Sequence, residues 1–171
     1  WTVTGLPSTV VPAFAVIGTN LFAGTFGGGV LLSTNNGTSW TVTDLMHSSV
    51  RAFAVNGASL FAGTDGGVFL STNNGTNWSA IANDTVWSSS IIYNIAFYNE
   101  ELYVTGGFNN TTTGMNEIAK WNGSYWENVG GGIKTPGNSL ACMQVYNNEL
   151  YVGGYYIQSA GNAGNFIQKW N

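Results

Sequence analysis

At 171 residues, with 24 glycines, 7% charged residues and a net charge of −4, the chain is long enough to bury a substantial core as one domain and has the turn-rich composition of an all-β protein, its polarity carried mostly by Asn, Ser and Thr. One arginine (Arg51) and three lysines (Lys120, Lys134, Lys169) make no basic patch able to neutralise several phosphates, so nucleic acid is not an expected partner. The same shortage argues against anionic membrane surfaces, and no apolar run is long enough for a spanning helix, so no membrane insertion is expected.

The chain opens on WTVTGL, Trp1 to Leu6, which matches WTVTDL at Trp40 to Leu45 and reads as a lone strand with nothing before it. The first repeat follows: AFAVIGTNLFAGTFGGGVLLSTNNGTSW at Ala13 to Trp40 returns at Ala52 to Trp78 as AFAVNGASLFAGTDGGVFLSTNNGTNW. In this second unit the period is two, and the spacing predicts strands at Val50 to Val55, Leu60 to Thr64, Val68 to Ser71 and Asn77 to Ala82. Asn36-Gly37 and Asn74-Gly75 supply the positive φ angles that tight hairpins require.

A second pair of units comes next. ELYVTGGF at Glu101 to Phe108 returns as ELYVGGYY at Glu149 to Tyr156, and KWN at Lys120 to Asn122 returns at Lys169 to Asn171. Phe53 to Thr64 also lines up with Ile95 to Thr105, which makes all four units versions of one element of about 43 residues, a propeller-blade length. No single four-stranded meander can bury both apolar faces, so neighbouring copies must stack. The expected fold is therefore an all-β β-propeller of four four-stranded antiparallel blades at about 8–46, 47–84, 88–133 and 137–171. The last unit, Leu140 to Asn171, has three strands, and strand 1–6 is expected to complete it and cover its edge. The domain reads as a single propeller, or as an excerpt of a longer secreted protein.

Ser33 to Trp40 (STNNGTSW) and Ser71 to Trp78 (STNNGTNW) resemble the Asp-box repeats of sortilin-like β-propellers, with Asn35 and Asn73 where the Asp usually stands. An Asn side chain closes the same Asx turn, so the resemblance implies a hairpin staple made of Ser33, Asn35, Gly37, Trp40 and of Ser71, Asn73, Gly75, Trp78. Units three and four resemble secreted bacterial propeller repeats with LYVGG strands and KWNGSxW hairpins, here Lys120 to Trp126. Asp boxes also occur in sialidases, which grip a carboxylate with three arginines; a chain with Arg51 alone excludes a complete site of that kind. Asp-box propellers of photosystem assembly carry basic surfaces, and the acidic balance here argues against that role.

No constellation indicates catalysis, and neither a cofactor nor a metal is expected. His47 lies in LMHSS without metal-spaced partners, and Ser48 and Ser49 beside it form no triad. Cys142, the only cysteine, reads as a buried small hydrophobe that can form no intrachain disulfide. Glu100, Glu101 and Glu149 recur at one repeat phase and read as turn residues; carboxylates facing each other across blades for glycoside hydrolysis are the remote alternative.

Two long polar insertions, Gly107 to Asn116 and Tyr155 to Asn165, occupy the same position in units three and four and should emerge on one face. Their aromatics and amides, Phe108, Asn109, Asn110, Tyr155, Tyr156, Asn162 and Asn165, are the candidate ligand-binding residues, since rings stack on sugar CH groups while amides bond hydroxyls. The expected function is a non-enzymatic extracellular binding, adhesion or structural module of a secreted bacterial protein. A glycan-binding lectin-like propeller is the alternative, and part of a glycoside hydrolase completed by missing blades is the remote one. Glycans or other extracellular proteins are the expected partners, with self-association as a further option. Asn-x-Ser/Thr triplets at Asn36, Asn74, Asn77, Asn83, Asn109, Asn110 and Asn122 are what an Asn- and Thr-rich repeat generates by chance. The expected intact mass is that of the bare chain, and any hexose-sized increment in a mass spectrum would instead mark glycosylation.

Overall fold

The structure is a computed structural model that describes residues 5–46, 48–81, 90–110, 115–130, 133–134, 140–154, 158–159, 162–163 and 167–170. It divides into two compact units, Trp1–Ile81 and Ala82–Asn171, and no helix occurs among the described residues.

The first unit holds two antiparallel sheets, each laid out in chain order. The first runs β1 (Ala13–Ile17), β2 (Asn20–Thr25), β3 (Gly29–Ser33), β4 (Thr41–Val42). The second runs β5 (Val50–Asn56), β6 (Ser59–Thr64), β7 (Gly67–Ser71), β8 (Ser79–Ala80). The fourth strands are shorter than the sequence predicts. Beyond them the ladder continues through single bonds, Thr43 N–H to Val30 O at 3.0 Å and Ile81 N–H to Val68 O at 2.9 Å.

Stacking of these two sheets makes the core of the unit. Ala15, Phe22, Val30, Leu45, Val50, Leu60 and Ala62 form one buried cluster flanked by Ile17, Leu32, Phe53, Phe69 and Trp78. Two glycines let the sheets close. A Cβ on Gly24 would stand 2.7 Å from Val50 Cγ1, so only a bare backbone lets β2 press on β5. A Cβ on Gly75 would stand 2.4 Å from Phe22 Cε1, which places the tip of the β7–β8 hairpin over the fully buried Phe22 ring.

That tip is held by side chains. Ser71 Oγ accepts the Gly75 N–H at 2.9 Å and donates to Asn73 Oδ1 at 3.0 Å; Asn73 Oδ1 in turn accepts the Asn77 N–H at 2.9 Å. Trp78 Nε1 donates to Gly75 O at 3.1 Å. Ser33, Asn35, Gly37 and Trp40 repeat this pattern in the first sheet, with Gly37 N–H to Ser33 Oγ at 2.9 Å and Trp40 Nε1 to Gly37 O at 3.1 Å. The turn asparagines, Asn36 and Asn74, both adopt φ 55, a left-handed conformation that Asn tolerates. Of the strand expected at 1–6, residues 1–4 lie outside the described residues; Gly5 donates its N–H to Gly37 O at 3.4 Å.

The second unit contains a four-stranded sheet, β9 (Ile91–Tyr98), β10 (Glu101–Asn110), β11 (Met115–Trp121), β12 (Trp126–Asn128). With β13 (Ile133–Lys134) set aside, β14 (Leu140–Tyr146), β15 (Glu149–Gly154) and β18 (Ile167–Trp170) make a three-stranded sheet. A small third sheet joins β13 to β16 (Gln158–Ser159) and β17 (Asn162–Ala163). β14 packs on β9 and β10, and the shared core is Tyr98, Tyr103, Ile118, Val129, Met143, Leu150 and Val152.

Here the recurring Glu-Leu-Tyr and Lys-Trp segments meet across the second and third strands of each sheet. Lys120 Nζ lies 2.7 Å from Glu101 Oε1, and Tyr103 donates its hydroxyl to Glu101 Oε2 at 3.2 Å. Lys169, Glu149 and Tyr151 repeat the triad, at 2.7 Å and 2.6 Å. Burial, reinforced by the Glu101 charge and hydrogen bond, raises the Tyr103 hydroxyl from its ordinary 10.0 to about 12. The hydrogen bond from Lys169, then that from Tyr151, holds the Glu149 carboxyl below its usual value. Such partly exposed pairs guide register more than they add stability.

Two expectations are corrected. Cys142 is exposed, because β14 alternates and turns Met143 inward while Cys142, Gln144 and Tyr146 face out. Glu101 and Glu149 are strand residues rather than turn residues; the turns are Asn99-Glu100 (φ 48 and 65) and Asn147-Asn148 (φ 48 and 58), the two left-handed positions of a tight hairpin.

Two measurements check this account. Gly75→Ala should cost about 2–4 kcal/mol in urea unfolding, from left-handed strain plus the clash with Phe22, whereas Gly18→Ala (φ 59, open space) should cost only about 1 kcal/mol. In an alkaline titration, the stability that Tyr103 contributes is complete below its unfolded value of 10.0 and is lost as pH rises through about 12. Its phenolate absorbance should appear at about pH 12, and Tyr103→Phe should remove that phase.

Candidate functional site

The connection between second and third strands is where the two units differ most. In the first unit it is a short turn at each sheet, Phe26 to Gly28 after β2 and Asp65 to Gly66 after β6. In the second unit the described residues of the segment predicted as the loop Gly107 to Asn116, 107–110 and 115–116, are strand. Asn109 pairs with Asn116 and Asn110 with Met115, beyond a register shift between Thr105 and Asn109. Glu117 sits at this bulge with φ 59 and no exposed surface. A left-handed non-glycine residue inside a strand carries about 1–3 kcal/mol of strain, and bulges re-aim side chains next to functional sites.

Phe108 must be withdrawn as a stacking platform. It is 2% exposed, as its hairpin neighbour Met115 is 1% exposed, and it shares the alternation of the buried Leu102 and Val104, which puts its ring in the interior. Asn109 and Asn110 keep their place in the extended hairpin, at the end of β10.

The second insertion contributes the small sheet. Ser159 pairs with Asn162 and Gln158 with Ala163, while Ile133 and Lys134 pair with Ser159 and Gln158. Asn162 therefore opens β17, whereas Tyr155, Tyr156 and Asn165 lie outside the described residues. β13 also lies against β11, so the added sheet adjoins the strand that carries Glu117. The neighbourhoods of Asn109 and Asn110 and of Asn162 are thus linked through β11, which pairs with β10, and β13, which lies against β11 and pairs with β16, the neighbour of β17.

Sequence reasoning missed two residues here. Glu117 interrupts MNEIAKW at the same phase as Met115 and Ala119, both buried, and that alternation was the available signal. Arg51 was weighed only as too few arginines. Its guanidinium carbon stands 4.9 Å from the centroid of the Phe26 ring, a cation–π distance, at the β2–β3 turn where Phe26 is 42% exposed. Glu101 and Glu149 are engaged by their lysines. His47 lies outside the described residues, and among those described no three His, Cys, Asp or Glu side chains cluster as metal ligands.

No protein-family model matches the sequence, and no curated protein matches it either. Solved structures do match by shape. The computationally designed Ika4 protein superposes with a TM-score of 0.68 at 13% identity, covering 98% of this chain and 94% of that one. An ancestral GH74 enzyme gives 0.65 at 20% identity over 92% of this chain and 24% of its own. The extracellular domain of a putative hybrid two-component system from B. thetaiotaomicron gives 0.63 at 16% identity, over 84% and 20%. The chain thus spans nearly all of the designed protein but a quarter or less of the other two. At these identities the likeness concerns fold alone, and with the antiparallel sheets described above it makes this an all-β chain of β-propeller fold.

Proposed function

We propose that the chain is a non-enzymatic extracellular binding, adhesion or structural module of a secreted bacterial protein, contacting its partner through the second-to-third-strand end of the Ala82–Asn171 unit. The observation that supports this reading is the concentration of added structure there: the bulged extension of β10 and β11, and the sheet β13-β16-β17 built beside it. Extra residues in a repeat fold are tolerated anywhere on the surface, and function collects where rigid elements hold them. In this reading the Ser33 and Ser71 hairpins are Asp boxes with Asn in place of Asp, and their role is to hold the scaffold. The extracellular placement draws on the low-lysine, Asn-rich composition and on the likeness to an extracellular domain.

A lectin-like module is the second reading, favoured by the amides Asn109 and Asn110 at the end of β10 and Asn162 at the start of β17. Amides pair with vicinal hydroxyls, and the exposed Phe26 ring offers a separate stacking face in the first unit. Hydrolysis would require residues contributed from outside this chain.

Replacing residues 109–114 by a short Gly-containing turn, which spares the buried Phe108 and Met115, should abolish capture of the immobilised chain's extracellular partner, glycan or protein, while the thermal unfolding midpoint falls only slightly. A glycan array separates the two readings: signal above background that disappears in Asn109→Ala/Asn110→Ala supports the lectin, and background signal leaves the protein-binding module. Release of reducing sugar by the chain alone would overturn both.

A further inference from the structure

The sequence holds four Asn-Gly pairs: Asn36-Gly37, Asn56-Gly57, Asn74-Gly75 and Asn122-Gly123. In such a pair the glycine nitrogen, unobstructed by a Cβ, can attack the Asn Cγ. A new N–Cγ bond forms, the Cγ–NH₂ bond breaks, and the glycine proton leaves through solvent as ammonia departs. Water then opens the cyclic imide to isoaspartate or aspartate. The reaction needs a glycine N–H free to lose its proton and a carboxamide free to swing onto it.

Three of the pairs fail one requirement. Gly37 and Gly75 each donate their N–H at 2.9 Å to a buried serine, Ser33 or Ser71. At Asn122 the carboxamide is pinned instead: Oδ1 accepts the Ser124 and Tyr125 N–H groups at 3.0 Å each, and Nδ2 donates to Glu127. Asn56 differs on both counts. It is exposed at the end of β5, paired only through its backbone with Ser59. Among the described residues neither its carboxamide nor the Gly57 N–H makes a hydrogen bond. Gly57 has open space where a Cβ would lie.

We propose that Asn56-Gly57 is a site of spontaneous deamidation, and that the serine hydroxyls of the two stapled hairpins protect Asn36 and Asn74 from the same reaction. The product places a new negative charge, and in the isoaspartate form an added backbone methylene, at the β5–β6 turn. This inference is independent of the function proposed above.

The test is to age the intact chain in mildly alkaline buffer at body temperature, with a parallel sample in concentrated urea, and to map deamidated peptides over time. In the native sample Asn56 should convert about fivefold or more faster than each of the other three, the factor that one retained hydrogen bond supplies, and in urea the four rates should converge. Asn56→Gln should remove the acidic species that accumulates on isoelectric focusing of the aged native chain. Comparable native rates at Asn36, Asn74 or Asn122 would overturn the proposal. So would a native Asn56 that stays intact while the urea sample converts.

Discussion

A four-stranded sheet of short strands has two apolar faces and too little bulk to bury either, so everything in this molecule depends on one sheet closing against the next. In the first unit that closure comes down to Phe22, which has no exposed surface because Gly75 of the following sheet lies over it. The requirement is local and strict. Gly75 must lack a Cβ and must hold φ 75, and a chain reversal of that kind at a surface hairpin needs fixing. Ser71, Asn73 and Trp78 provide the fixing, each through hydrogen bonds to the turn. The motif is thus part of the packing between sheets as much as of the hairpin that contains it.

The second unit meets the same requirement with other chemistry. Its third-to-fourth-strand hairpin closes on Asn122, whose side chain accepts two backbone N–H groups, and on the tilted Trp121 and Trp126 rings, 5.3 Å apart. Its second and third strands are tied by the Lys-Glu-Tyr triads. Freed from the short Gly-rich turns of the first unit, the second-to-third-strand connection grows, and its described residues are β structure. Glu117, buried and left-handed opposite the extra residues of β10, is the strained position of that extension.

What was legible in the sequence follows from period and punctuation. Alternation at Val50 to Val55 and Leu60 to Thr64, broken by Asn-Gly and Asp-Gly-Gly, is enough to locate β5, β6 and their turns, because a strand's faces and a tight turn's φ angles are properties of a few neighbouring residues. The site was less legible. Phe108 lies in a segment rich in Asn, Thr and Gly, which reads as a loop until Met115 is seen to pair with Asn110 across the hairpin. Cys142 sits in an apolar run whose inward side is decided by the partner strand and its bulge, not by the run itself.

By itself, then, the sequence determined the repeat, the all-β class and the hairpins that Asn, Gly and Ser close, since each rests on backbone preferences within about ten residues. Tertiary structure alone decided which side chains face inward at the bulges, that Lys120 and Lys169 meet Glu101 and Glu149, and that Gln158–Ser159 and Asn162–Ala163 join a sheet with Ile133 and Lys134. These depend on register between segments far apart in the chain, and a shift of one residue in register exchanges every inward side chain for an outward one.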